Sequence, residues 1–212
     1  MKILKNFIVF EGCDGSGTTT QLKLLEDFFV QNKNRLPLPP FYKTFEPTDG
    51  SIGKLIRSCL RKEISLHPET IAMLFAADRN EHIYGSNGVA ERCGRGELVV
   101  SDRYVLSSLV YQGIACGEAL PARLNQDFPG PELLVFFDID PENAQKRMAP
   151  RDMKEIYEYL DFQIQARELY KSFLPQLTAQ GVKVEIIDSS PPLEVVARQV
   201  WQVLQKMPII KG

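Results

Sequence analysis

The run "ELLVFFDID" (residues 132–140) leaves the chain few ways to fold. Its apolar residues follow one another without polar alternation, so an extended chain would carry them on both faces. A strand of that kind must be covered on both sides. Four further runs share the character: "FIVF" (7–10), "FYKTF" (41–45), "ELVVSD" (97–102) and "VKVEIID" (182–188). Between them lie stretches of helical period. Residues 21–30 place Leu22, Leu25, Phe28 and Phe29 on one face, and similar patterns occupy 51–60, 67–85, 107–114, 141–148, 154–177 and 191–204. "NKNRLPLPP" (32–40) and "FPGPE" (128–132) read as loops, because proline removes a donor and stops helices. The alternation predicts an α/β fold, an open five-stranded parallel sheet with helices on both faces. In such sheets ligands sit beyond the carboxyl ends of the strands.

A length of 212 residues suits one domain spanning 1–212. A net charge of −2 gives no electrostatic footprint for nucleic acid as a partner. Cys13, Cys59, Cys93 and Cys116 form no CxxC pair and read as reduced thiols. The opening "MKILKNFIVFEG" is too short in apolar residues for a secretion signal, and no run approaches a membrane span. These features point to a cytoplasmic protein with no membrane partner.

The first run leads into "EGCDGSGTTT" (11–20) and then a helix. Gly12, Gly15 and Gly17 let a backbone approach an anion closely, and the following helix offers free N–H groups and a positive dipole end. The phosphate-loop pattern is G-x-x-x-x-G-K-[ST]. Gly12, Gly17 and Thr19 fit it; Thr18 stands where the lysine belongs. Thr19 is placed to hold Mg²⁺ through its hydroxyl. Taken alone, the loop also fits a tight strand-to-helix turn with glycines for packing, the weaker of the two readings.

The ends of other strands add chemistry. Asp102 follows the third strand, where a carboxylate can hold Mg²⁺, and Arg103 beside it is a forked donor suited to phosphate. Phe75 and Arg79, four apart, share a helix face.

The ordered set EGCDGSGTTTQ, EPTDGSIGKLIR, LFAADR, DRYVLSSLVYQG and PELLVFFDIDPE resembles the thymidylate kinases, from residue 7 to about 205. The resemblance implies a nucleoside-monophosphate-kinase-like P-loop fold, a lid at about 148–160, and a homodimer. It implies transfer of a phosphoryl group from MgATP to dTMP, giving dTDP. Gly12, Cys13, Asp14, Gly15, Ser16, Gly17, Thr18, Thr19 and Thr20 would hold ATP, with Arg147 against its adenine or phosphates. Phe75 would stack on thymine and Arg79 would hydrogen-bond it. Arg57 and Arg103 would grip the dTMP phosphate, with Asp14 beside it. Phe45, Ser108, Tyr111 and Gln112 would form the pocket wall. Asp102 and Arg103 would serve catalysis.

Three departures stand out. Thr18 replaces the lysine. Ile156 stands where the family's lid often has arginine, leaving Arg151 as the candidate substitute charge. "EPTDG" introduces Asp49 in place of E-P-G-G-T. Two alternatives therefore stand beside dTMP kinase: a catalytically weak nucleotide-binding relative, and a kinase of another pyrimidine nucleotide.

Overall fold

A computed structural model describes residues 1–148 and 155–211. Five parallel strands, β1 (Ile3–Gly12), β2 (Phe41–Phe45), β3 (Leu98–Asp102), β4 (Gly130–Asp138) and β5 (Lys183–Asp188), form one sheet in the order β2-β3-β1-β4-β5. The expected α/β sheet is therefore present. Ten helices connect or flank the strands among the described residues: α1 (Thr18–Asn32), α2 (Ser51–Leu60), α3 (Pro68–Tyr84), α4 (Val89–Gly94), α5 (Val105–Cys116), α6 (Ala119–Asn125), α7 (Pro141–Arg147), α8 (Leu160–Ala179), α9 (Leu193–Leu204) and α10 (Pro208–Lys211).

Side chains along a strand point alternately to the two faces. Ile8 and Phe10 of β1, Val100 of β3 and Val135 and Phe137 of β4 enter a core with Leu22, Leu25 and Phe29 of α1 and Val196 and Val200 of α9. On the other face Leu134 and Phe136 pack with Val110 of α5 and Ala166 and Tyr170 of α8, while Phe7, Val9 and Val99 meet Ile83, Val89 and Tyr104. The continuous apolar runs are the sequence trace of this double coverage.

Several expected boundaries move. The helix expected from residue 154 begins at Leu160, after a turn at Ile156 and Tyr157. The first strand starts at Ile3, not Phe7. A bulge with Asn6 at φ 64° interrupts its pairing with β4, and the Asn6 amide donates to Glu132 Oε2 at 2.7 Å. The polar pair Lys5–Asn6 hides this half of the strand from a hydrophobicity reading. The "FPGPE" loop is partly strand, since Gly130 and Pro131 pair with Ile3 and Leu4 at the sheet's amino end. The fourth strand stops at Asp138, because Asp140 caps α7 by accepting from the amides of Glu142 and Asn143. The short helices α4, α6 and α10 lack the length to show a helical period. Residues 149–154 of the expected lid, Arg151 among them, lie outside the described residues.

Candidate active site

All five strands end toward one edge, at Gly12, Phe45, Asp102, Asp138 and Asp188. Two cavities open there. One, of about 640 Å³, is lined by residues 13–21 and by Arg103, Arg147, Pro192 and Val196. The other, of about 760 Å³, is lined by Phe45, Arg57, Phe75, Arg79, Tyr111 and their neighbours. Asp14, Thr19, Thr20, Arg103 and Glu155 line both. Arg103 is the one basic residue among the described residues that does so.

The glycine loop runs from the end of β1 to the start of α1. Gly15 has φ +80°, and a Cβ there would meet the Ala144 carbonyl oxygen at 2.6 Å; Gly17, before α1, has φ +93°. Both positions need the freedom of glycine. The Ser16 amide donates to the Cys13 carbonyl at 3.1 Å. Gln163 of α8 holds the loop from outside, its Oε1 accepting from the Asp14 amide (3.1 Å) and its Nε2 donating to Asp14 Oδ2 (2.9 Å). Burial pushes the Cys13 thiol up to about 12, aided by the Asp14 charge, so this cysteine is no nucleophile. Thr18 opens α1, buried, with its neighbours Ser16 and Gly17 in the wall of the smaller cavity.

Asp102 ends β3 and is 7% exposed. The Thr19 hydroxyl donates to its Oδ2, while Oδ1 is buried with no hydrogen-bond partner among the described residues. An open carboxylate oxygen beside a hydroxyl is an oxygen donor set of the kind Mg²⁺ takes.

Arg103 follows at φ 72°, a left-handed conformation uncommon for a side-chain-bearing residue. Its amide donates to the Phe10 carbonyl at 2.8 Å, and its own carbonyl accepts from Ser101 Oγ at 2.8 Å. The guanidinium donates through Nη2 to Asp14 Oδ1 and through Nη1 to the Gly12 carbonyl at 3.1 Å, and lies 5.2 Å from the centre of the Tyr111 ring. Burial raises the Asp14 pKa above the usual carboxylate range, and Arg103 opposes that rise.

The larger cavity has a polar base. Arg79 is 1% exposed. Its Nε and Nη2 donate to Glu46 Oε2 (2.9 and 2.6 Å), Nη2 also to Ser108 Oγ (3.0 Å), and Nη1 to Asn125 Oδ1. His82 joins Glu46 Oε1 to Thr44 (2.8 and 2.6 Å). Burial alone would raise the Glu46 pKa; Arg79 and His82 hold it below the usual range. Arg57 donates from Nη1 to the carbonyls of Pro47 and Thr48, both at 2.7 Å, and from Nη2 to Asp49 at 2.8 Å, with the Phe45 ring 5.4 Å away. Phe75, Tyr111, Ser108 and Gln112 line the same space.

The site residues expected from sequence thus divide between two adjoining cavities. Arg147 reaches the smaller one from the end of α7, its guanidinium donating to the carbonyls of Ser189 (2.6 Å) and Ser190 (2.7 Å). Arg151 is outside the described residues. Sequence reading missed Gln163, Asn125 and His82, and gave no role to Glu46 or Glu11. Glu46 and Glu11 stand inside quoted motifs, but their partners are distant in sequence.

The thymidylate kinase family model matches residues 10–200. A Treponema pallidum (strain Nichols) protein assigned to thymidylate kinase is 40% identical over 209 residues, 97% of this chain and 98% of its own. Proteins named probable thymidylate kinases are each 37% identical: one from Pyrobaculum aerophilum over 95% of this chain and 97% of its own, and one from Methanococcus maripaludis (strain S2) over 98% and 99%.

Proposed function

The chain belongs to the thymidylate kinase family, and we propose from that premise that it transfers the γ-phosphoryl group of MgATP to dTMP, giving dTDP and ADP. The observation that carries the reading is the pair of cavities meeting at Asp14, Thr19, Thr20 and Arg103. Phosphoryl transfer needs two substrates held end to end with charge neutralised between them, and no protein nucleophile.

The smaller cavity takes ATP, its phosphates on the loop amides and the amino end of α1, with Arg147 near the adenosine. The larger takes dTMP. Phe75 offers its ring to thymine. Arg79, locked by Glu46, Ser108 and Asn125, keeps one Nη1 N–H as a fixed donor for the base. Arg57 and Arg103 grip the acceptor phosphate, and Tyr111 and Gln112 wall the sugar. Thr19 and Asp102 would hold Mg²⁺, which supplies charge neutralisation on the phosphate oxygens when bound. Thr18 brings no charge. Arg103 therefore carries the positive charge at the junction, with Arg151 as a further source from the lid. The uncharged Thr18 also favours a turnover lower than a lysine-bearing loop would give.

The proposal further comprises one domain over 1–212 with a lid at 148–160, a cytoplasmic setting and a homodimer. Leu55 on α2 and Met73 on α3, 37% and 52% exposed, supply apolar surface that an assembly would cover. No helix among the described residues is long and apolar enough to cross a membrane. The test is direct: purified protein with ATP, Mg²⁺ and dTMP should form dTDP, and a yield no higher than the blank overturns the reading. Competition with dUMP decides between pyrimidine acceptors.

A further inference from the structure

Glu11 is the last residue but one of β1, just before the glycine loop, and it is fully buried. Its Oε1 accepts from the amides of Tyr104 (3.0 Å) and Ser107 (3.1 Å). Its Oε2 accepts from the hydroxyls of Ser107 (2.6 Å) and Tyr170 (3.0 Å). Tyr104 and Ser107 bracket the first turn of α5, a helix with no side-chain cap of its own. Glu11 caps that helix from a neighbouring strand.

The two hydroxyls lie 2.9 Å from each other and share a further neighbour. Arg103 Nη1 lies 3.3 Å from Ser107 Oγ and 3.5 Å from Tyr170 Oη. Each contact is long and weak alone. A hydroxyl has one proton and spare lone pairs. With their protons drawn to the Glu11 carboxylate, both hydroxyls turn lone pairs toward the guanidinium. With their protons elsewhere, they would face it as dipoles of the wrong sense.

We propose that Glu11 is a positioning residue for Arg103, acting by setting the hydroxyl direction of Ser107 and Tyr170 so that both accept from the guanidinium. The proposal rests on the kinase reading given above. The carboxylate does two separable jobs. Oε1 fixes the turn that throws Arg103 into its left-handed conformation. Oε2 polarises the two hydroxyls that steady its side chain.

The substitution Glu11→Gln separates them. An amide keeps one oxygen for the two backbone N–H groups, so the cap survives. Its NH₂ then donates to the hydroxyls, and their protons swing toward Arg103. Steady-state kinetics with ATP and dTMP should show kcat lowered about 10- to 100-fold with the KM for ATP unchanged. The melting temperature at pH 8 should not fall, because a buried charge has been removed. In a cycle with Arg103→Lys the two losses should be less than additive. A second variant, Ser107→Ala with Tyr170→Phe, deletes the relay and leaves both amide bonds to Glu11; it should lower kcat to a similar degree. Wild-type turnover in either variant overturns the proposal. So does a loss that tracks a lower melting temperature, or one that adds fully to Arg103→Lys. An inactive wild-type protein would instead sink the kinase reading, so the two failures are distinguishable.

Discussion

The two cavities are built on opposite plans. The larger is floored by side chains tied to one another across three helices and one strand end: Arg79 from α3, Glu46 after β2, Ser108 from α5 and Asn125 at the end of α6. Those groups are nearly as buried as the core around them. The smaller is built of loop backbone and helix amino end, and among the described residues its basic side chains, Arg103 and Arg147, reach it from outside the loop. On the proposed reading, one side recognises the base by side chains held in place and the other holds phosphates by loop amides and neighbouring charge. Where a site reads shape, the fold spends core volume on it. On the same reading, charge neutralisation falls to Arg103 beside the loop, with Thr18 at the lysine position.

Removing the shared cation should do most to break this contrast. Arg103→Ala is expected to lower kcat about 10³-fold in a coupled assay with ATP and dTMP. A loss of only a few-fold would mean that charge comes from elsewhere. Next, Glu46→Ala should destabilise the protein by roughly 3–4 kcal/mol in denaturant unfolding, because it strips Arg79 of its buried counter-charge. Loss of dTMP binding with no loss of stability would show that the floor is not part of the core.

A third test lies in pH. Burial pushes the Glu11 pKa up to about 7, against the opposing pull of Ser107, Arg103 and Tyr170. A carboxyl raised in the folded state contributes stability below its ordinary value near 4.5, and that contribution is lost as pH rises through about 7. Relative to the Glu11→Gln variant, the wild-type protein should therefore lose on the order of 3 kcal/mol between pH 4.5 and 8, measured by chemical denaturation across pH. Parallel profiles would contradict a buried, titrating Glu11. Smallest is Thr18→Lys, expected to raise kcat about tenfold by adding the missing donor. No gain would indicate that Arg103 and the lid already supply the charge.

Much of the architecture was legible because it is local. Double-sided strands write continuous apolar runs, and the loops between strand and helix carry their glycines and aspartates in fixed order. Thr19 and Asp102 follow directly from that logic. What escaped reading depends on contacts far apart in the chain. Nothing near Glu46 announces that His82 and Arg79 will meet its two oxygens. Gln163 looks like any polar helix residue until α8 packs it against Asp14. The start of α8 was misplaced because residues 155–159 have helical composition yet run as a turn, with the Ile156 amide bonded to the Leu60 carbonyl at 3.2 Å. The early half of β1 was missed because a bulge there accommodates polar residues.

The strand order also carries a timetable. Phe10 pairs with Asp102, and Gly12 with Phe137. A ribosome making this chain releases the nucleotide loop before β3 and β4, and takes on the order of ten seconds to deliver the two strands that brace it. Through that interval the nascent chain has the loop's letters and no scaffold to give them a shape. Capture of nucleotide by the loop thus waits for β4, and cellular nucleotide can stabilise only those chains that have already brought β4 home.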